Sequence, residues 1–261
     1  MKVPDYGHVM LDDLGPASPY HAPLYPALPW TFENVRVVKL AVEVGLDAVR
    51  SLLPNPLSRS IPPVAALVVH DVPNSPFGSF RMACQNIICR YTTFVRAFVL
   101  QAVIDNPAAM AAFREVWSIP AKPGTVELDD VSAGESSRSG RVLSASGSLL
   151  ADWRLTNIEG AEAERVLLEP EITLRLPPDY AVHSEAEPPR LVQVNRAYAL
   201  RDPHRGRVSL AFHDGGPEYP WALLPITNSI VGVDTSADLH YDRTEYVLDY
   251  ERQLEPIEVP G

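Results

Sequence analysis

Short apolar stretches rich in β-branched residues, separated by prolines and polar turns, make up most of this chain. The segment 35–44 (VRVVKLAVEV) is β-branched and partly alternating, and 64–72 (VAALVVHDV) is apolar until it ends in a His-Asp pair, so both are predicted strands. The apolar region 80–104 predicts one long strand or two. Further short strands are predicted at 141–155, 165–176, 190–199, 206–213 and 223–233, and 244–253 predicts a strand or a short helix.

Two segments have helical signals. The segment 46–53 predicts a short helix that ends before Pro54. The segment 106–118 is the better candidate, because Asn106 can cap a helix, Pro107 suits the first helical position, and AAMAAFREVW has high helix propensity. We therefore expect few helices and many strands.

The pattern favours a single α+β domain over residues 1–261, dominated by an antiparallel sheet or barrel. Prolines are frequent, 26 in all, and their clustering before residue 30 predicts an irregular, proline-rich arm over 1–31. The polar stretch 129–140 (DDVSAGESSRSG) predicts an exposed turn or loop. No internal repeat or long Gly/Ser linker divides the sequence.

Charge and composition narrow the class of protein. The chain has 22 basic and 33 acidic residues, a net charge of −11, and no Lys/Arg cluster, which disfavours nucleic acid as a partner. No segment approaches the ~20 apolar residues of a membrane span, and the first residues lack the apolar run of a secretory signal. We expect a cytoplasmic protein. Cys84 and Cys89 lie in an apolar run and are expected to be buried structural thiols.

Lys122 is the strongest candidate for chemistry. It is one of three lysines, with Lys2 and Lys39, and it lies between Pro120 and Pro123 just after the predicted helix 106–118. If its amine faces an apolar cavity, the pKa of the amine falls and a free amine can attack a ketone to form an imine. The alternative is an ordinary lysine in a surface loop.

Four other polar residues have both a functional and a structural interpretation. Glu115 and Arg114 lie on the predicted helix, where Glu115 either faces inward to move a proton or belongs to a solvated face. His70 is either half of an acid–base pair with Asp71 or part of a sheet-edge turn. Arg36 alternates with apolar residues, so it either points into a barrel and holds a carboxylate or lies on the outer face.

Metal and nucleotide sites are not indicated. The scattered His204, His213 and His240 have no HxH or HExxH spacing, and there is no GxGxxG, Walker loop or GxSxG elbow.

Several runs recur together in one known family. The runs are Asp105-Asn106-Pro107-Ala108, Arg114-Glu115-Val116-Trp117 and Pro120-Ala121-Lys122, preceded by Leu46-Asp47-Ala48-Val49-Arg50 and the His70-Asp71 pair. In order and spacing, they resemble the acetoacetate decarboxylase family. The resemblance implies a cone-shaped antiparallel β-barrel with a few short helices, an enclosed apolar cavity and a homo-oligomer. It also implies Schiff-base chemistry on a small molecule, without a metal or organic cofactor.

The sequence departs from that family at three positions. In that family, the residue that forms the imine is the first lysine of a Pro-Lys-Lys run. In this sequence the corresponding position is Ala121, so only the second lysine, Lys122, remains. The family's arginine falls on Val35, next to Arg36, and its catalytic glutamate falls near Met82. The resemblance therefore implies a retained scaffold with altered chemistry.

Three functions remain open at this point. The first is a lyase of specialised metabolism that acts on a ketone or oxo acid through an imine on Lys122, with Glu115, Tyr246 or Tyr250 moving the proton. The second is a non-covalent cyclase or isomerase of a polyketide-like substrate. The third is a small-molecule binding protein without catalysis. The residues expected to contact the substrate are Arg36, His70, Met82, Arg114, Trp117 and Tyr250.

Overall fold

The computed structural model describes residues 22–129, 137–163, 166–176 and 188–249, with side chains up to residue 242 in the last range. These residues form ten strands, two helices and one short 3-10 turn at Trp221–Leu223. The helices are α1 (Leu46–Leu52) and α2 (Pro107–Trp117). The strands are β1 (Trp30–Val44), β2 (Ser58–Val72), β3 (Phe80–Tyr91), β4 (Phe94–Ile104), β5 (Ala121–Leu128), β6 (Ser137–Ser144), β7 (Leu149–Gly160), β8 (Glu171–Arg175), β9 (Arg190–Phe212) and β10 (Ile226–Asp249).

The prediction of a mainly antiparallel β fold with few helices is confirmed, and so are both helices. The side chain of Asn106 caps α2 by accepting hydrogen bonds from the backbone N–H groups of Ala108 and Ala109. Ser118 ends the helix in the left-handed conformation, with a φ of 56°. The chain then turns directly into β5.

Several predicted strand boundaries were wrong. The segment 141–155 contains parts of two strands, β6 and β7, which are joined by a tight turn that includes Gly147 at a φ of +85°. The segments 190–199 and 206–213 belong to one strand, β9. Pro203 does not end β9, because Asp202 and Pro203 lie together opposite Thr235 in a bulge of β9, between the pairs Arg201–Ser236 and His204–Asp234.

Three end segments also differ from expectation. Within the described part of the predicted strand 165–176, only Glu171–Arg175 is extended. Residues 226–233 and 244–249 are parts of the single strand β10, whereas Leu223 ends the 3-10 turn, and 250–253 lie outside the described residues. Residues 1–21 of the predicted arm lie outside the described residues. Residues 22–29 are irregular as expected, but Trp30 begins β1 and is buried, so the arm is shorter than predicted.

The ten strands form one sheet whose pairings close on themselves. The order is β10-β1-β2-β3-β4-β5-β6-β7-β9-β8, and additional pairings join β10 to β9 and β4 to β8. β4 pairs with β5 and β8 in parallel, and the other pairs are antiparallel. The result is a ring-like sheet. Within the described residues, no helix is long and apolar enough to cross a membrane.

The central strands are buried on both faces, so they contribute to two separate cores. We call the first the α2 core, because α2 packs there against side chains from β1 to β4, β9 and β10. Its centre is a group of aromatic rings in mostly edge-to-face or tilted contact, with Trp30 and Trp117 at 5.1 Å and Trp117 and Tyr241 at 5.2 Å between ring centroids. The opposite faces of the same strands pack on β6, β7 and Trp221 in the second core.

Close approach of β5 and β6 requires a glycine. A Cβ atom at Gly124 would lie 2.3 Å from the carbonyl oxygen of Leu143 on β6 and 2.8 Å from the Val103 side chain. Gly124 follows Lys122 by two residues, so this contact helps to fix β5 where it enters the α2 core.

We expect Gly124→Ala to lower the free energy of unfolding by about 2 kcal/mol or more, because a backbone atom has to move to relieve the overlap. Gly160→Ala is the matched control, since a Cβ there meets nothing within 4 Å and the backbone needs no positive φ. Urea denaturation of both variants measures the difference. Equal stability of the two variants would contradict the expectation.

Candidate active site

Five polar side chains from five different strands converge in the α2 core. They are His70 of β2, Cys84 of β3, Glu171 of β8, Arg196 of β9 and Tyr241 of β10, and we call them the Arg196 cluster. Strand alternation explains the placement of Arg196, because Val192 and Val194 precede it on the same face of β9 and are buried in the α2 core. Tyr241 is directly opposite Arg196 in the β9–β10 pair.

The guanidinium of Arg196 is the centre of the cluster. Its Nη1 atom lies 3.4 Å from Nε2 of His70, 3.4 Å from the hydroxyl of Tyr241 and 3.6 Å from Oε2 of Glu171. Only 5% of the Arg196 side chain and 2% of the Glu171 side chain are exposed. The two therefore form a buried ion pair.

This ion pair has fewer hydrogen bonds than a purely structural ion pair normally has. Neither carboxylate oxygen of Glu171 makes a hydrogen bond with the described residues, and the same is true of Nδ1 of His70. Buried carboxylates in structural ion pairs normally accept several hydrogen bonds, because unsatisfied buried charge is costly. The pair is thus left with acceptor positions that the described part of the fold does not use.

Burial keeps the other members of the cluster uncharged at neutral pH. Burial, together with the nearby Arg196 charge, lowers the pKa of His70 to about 3. Burial raises the pKa of Tyr241 to about 12 and raises that of Cys84 as well. Although burial disfavours its charged form, Arg196 has a raised pKa because Glu171 and Tyr241 stabilise the cation.

Arg196 is the one member of the cluster that lines a cleft of about 360 Å³, where the start of β8 meets β9 and β10. The cleft is lined by Pro170, Gln193, Val194, Asn195, Arg196, Ala197, His240 and Asp242. The register of β10 against β9 shifts here, between Tyr241 and Thr244. Such bulges bend the strand, disrupt the pairing locally and are common next to active sites.

Lys122 does not join this cluster. Ala121 is the residue of β5 that faces the α2 core, with 1% of its surface exposed, and the next residue in a strand points to the other face. The amine of Lys122 donates a hydrogen bond to the backbone carbonyl of Glu218 and lies 5.1 Å from the centre of the Tyr219 ring. Its nearest polar partner is therefore on the side away from Arg196.

Three other predicted residues have structural contacts outside the cluster. Glu115 accepts a hydrogen bond of 2.5 Å from the hydroxyl of Tyr25. Burial and this carboxylate raise the pKa of Tyr25. Arg114 donates to the backbone carbonyl of Ala121 at 2.6 Å. Arg36 makes two hydrogen bonds of 3.0 Å to the carboxylate of Asp234, on the face of β1 opposite Val35.

The remaining predicted residues either lie in the α2 core or fall outside the described part of the chain. His70 belongs to the Arg196 cluster, and Met82 and Trp117 are fully buried in the α2 core around it. Tyr250 lies outside the described residues, as does the side chain of Tyr246. Val35, Met82 and Ala121, the positions at which the sequence departs from the acetoacetate decarboxylase pattern, all face the α2 core with apolar side chains.

Sequence reasoning missed Arg196, Glu171 and Tyr241. A signal for Arg196 exists in LVQVNRAYAL, because an arginine in phase with Val192 and Val194 on a strand has to face the same core. Glu171 has no comparable signal, since it begins a strand of five residues. Among the described residues, no three His, Cys, Asp or Glu side chains are arranged to hold a metal ion.

Comparisons with known proteins agree with this architecture. The chain is 25% identical over 244 residues to the acetoacetate decarboxylase of Chromobacterium violaceum, a match that covers 91% of this chain and 96% of the relative. Among solved structures, the acetoacetate decarboxylase of Legionella pneumophila matches with a TM-score of 0.80 at 23% identity, covering 91% of this chain and 94% of that one. The enduracididine biosynthesis enzyme MppR, in complex with pyruvate, matches with a TM-score of 0.76 at 18% identity, covering 91% of this chain and 98% of that one.

The solved structures share the fold of this protein. The model of the acetoacetate decarboxylase family matches residues 16–251 of this chain. That match spans the Arg196 cluster, both helices and all ten strands. The chain therefore belongs to the acetoacetate decarboxylase family.

Proposed function

We propose that this protein is an enzyme that binds a small ketone or oxo acid at the Arg196 cluster and moves a proton on it without forming an imine. The observation that carries the proposal is the arrangement at β5 and inside the α2 core. Ala121 faces the core and Lys122 does not, whereas Arg196, Glu171, His70 and Tyr241 are gathered within it. Among the described residues, the site thus has acid–base groups but no amine.

The relatives support the class of substrate. Several are named acetoacetate decarboxylases, and MppR has been solved with pyruvate, so related folds accommodate small oxo acids. We therefore propose a small carbonyl compound as the substrate of this chain too. The residues that act on the compound have to be found in this chain itself.

The cluster contains the groups that enolisation needs. A carbonyl oxygen can accept hydrogen bonds from Arg196 and from the hydroxyl of Tyr241, while an unsatisfied oxygen of Glu171 is available as a base. Glu171 takes a proton from the carbon beside the carbonyl. The C–H electron pair becomes the new C=C bond, and the carbonyl π pair moves to the oxygen as an enolate beside the guanidinium.

Two outcomes follow from that enolate. Where the substrate has a C=C bond one carbon further along, the enolate is a dienolate, and return of the proton at the far end of that dienolate moves the C=C bond and completes an isomerisation. Where the adjacent carbon carries a hydroxyl group, that group leaves with the proton held by Glu171 as water, which completes a dehydration and makes the enzyme a lyase. Neutral His70 cannot compete as the base, because burial and Arg196 keep its pKa near 3.

Imine chemistry at Lys122 is the competing proposal, and the experiment described below distinguishes it from proton transfer at the Arg196 cluster. For an imine, the amine has to leave the Glu218 carbonyl and the Tyr219 ring and reach the other face of β5. Simple ligand binding is the third possibility, and it is distinguished by stabilisation of the protein without turnover.

The test uses deuterium exchange into pyruvate, methyl pyruvate and 2-butanone, measured by NMR in D2O, together with borohydride trapping measured by intact mass. We expect the protein to accelerate exchange at the carbon beside the carbonyl, and Glu171→Gln to lose about 100-fold of that rate or more, as loss of a general base does. Lys122→Ala should keep the rate, and borohydride should leave no adduct on the parent.

The matched control is Glu169→Gln, which neutralises a buried carboxylate two residues away that pairs with Lys39 instead of Arg196. It should exchange like the parent. A borohydride adduct in the parent that is absent from Lys122→Ala would replace this proposal with imine catalysis. Binding of a ketone with no exchange above the buffer rate would leave a binding protein and no enzyme.

The neutral state of His70 has a consequence for stability. Its pKa is about 3 in the folded protein, against about 6.5 in an unfolded chain, so the unfolded state takes up a proton first as the pH falls. The contribution of His70 to stability is complete above about pH 6.5 and is lost progressively towards pH 3. Between pH 7 and pH 5 this amounts to about 2 kcal/mol.

We therefore expect the parent to lose about 2 kcal/mol more stability than His70→Gln over the same pH interval. Urea denaturation at pH 7 and pH 5 gives the two differences. Parallel losses in the two proteins would show that His70 is not held neutral.

A further inference from the structure

We propose that Glu171 makes this site select uncharged carbonyl compounds, such as ketones and esters of oxo acids, over the oxo-acid anions themselves. The inference rests on the proposed non-covalent function and specifies its substrate class. It makes Glu171 a specificity-determining residue in addition to a base. The argument comes from the balance of charge inside the α2 core.

The positive charge of Arg196 is already balanced. Glu171 lies 3.6 Å away, and both side chains are almost completely buried. The other cluster members are a neutral imidazole, a phenol and a thiol, from β2, β10 and β3. The buried side chains of α2, β4 and β5 are hydrophobic within the described residues, and Glu115 and Arg114 of α2 are exposed. The cluster as a whole is therefore electrically neutral.

An oxo-acid anion disturbs that balance. A carboxylate that approaches Arg196 has to enter beside the carboxylate of Glu171, and two like charges repel strongly in a buried site. Repulsion of this kind is a common means of discrimination between ligands, because it acts against one ligand without weakening the other. Glu171 thus occupies, with its own charge, the position on Arg196 that a substrate carboxylate would take.

An uncharged carbonyl compound meets no such penalty. Its oxygen can accept hydrogen bonds from the guanidinium and from Tyr241 while the Arg196–Glu171 pair stays intact. The unsatisfied oxygens of Glu171 then face a C–H group instead of another anion. The same residue therefore both excludes the acid and activates its neutral analogue.

Pyruvate and methyl pyruvate form a suitable pair of probes, because they share the keto group and differ in charge. Ligand-observed NMR titration should show that the parent binds methyl pyruvate at least about tenfold more tightly than pyruvate, a difference of about 1.4 kcal/mol. In Glu171→Gln the order should reverse, since Arg196 is then free to pair with the pyruvate carboxylate. Glu169→Gln, with its carboxylate on Lys39, should keep the preference of the parent.

Glu171→Gln leaves a buried guanidinium without its partner and can therefore fold poorly. In that case its refolding yield is measured in pyruvate and in methyl pyruvate, because the anion supplies the missing negative charge. A higher yield in pyruvate supports the proposal, and equal yields overturn it. The parent, refolded in parallel, should gain nothing from pyruvate.

Other outcomes also overturn the proposal. These are a parent that prefers pyruvate, a Glu171→Gln variant with an unchanged preference, and a parent that binds neither compound. All of these are binding measurements, so they can fail while deuterium exchange still supports the non-covalent enzyme. Conversely, a borohydride adduct on Lys122 would end the non-covalent function whatever the order of the two affinities.

Discussion

Burial of the central strands on both faces is the constraint on which the rest of the structure depends. β1 to β4 separate the α2 core from the second core, so most residues in the central parts of these strands face one core or the other. Because side chains alternate with a period of two, a displacement of one residue moves a functional group to the opposite face. Arg36 and Lys122 illustrate this, since each lies one residue beyond an apolar side chain that faces the α2 core.

The polar groups inside the core come instead from strands on the other side of the ring. Glu171 is the first residue of β8, and Arg196 lies within β9. Tyr241 lies on β10, where it also packs on Trp117. The ring closes only because β4 pairs with β8 and β9 with β10. Closure therefore does two things at once: it completes the sheet, and it brings the cation and the carboxylate towards the imidazole of His70.

Local signals in the sequence were enough for the elements whose ends are chemically marked. Asn106 and Pro107 defined the start of α2, and the β-branched runs located β1 to β4, although β1 and β2 begin five and six residues before the predicted strands. The candidate site was harder to predict. His70, Met82 and Trp117 were expected to contact the substrate, and they are buried in or around the Arg196 cluster. Lys122 was expected between two prolines after a helix, but it belongs to strand β5, and the alternation of that strand decides its direction. The contact of Glu171 with Arg196 depends on the pairing of β8 with β9, and no local pattern encodes that pairing.

A buried ion pair without hydrogen bonds to the carboxylate is expensive for a fold to maintain. Apolar residues of similar volume usually replace such a pair with no loss of stability, so its contribution to folding does not account for it. Proteins accept such local costs mainly where a site has to be ready for a reaction. Here the pair lies in a core that is otherwise closely packed with aromatic rings. A neutral pair in an apolar surrounding keeps a carboxylate and a guanidinium hydrogen-bond donor together without a net charge. Under the proposed function, the altered family positions and the Arg196–Glu171 pair belong to one change, from the amine that the family resemblance implies to a balanced pair of charges.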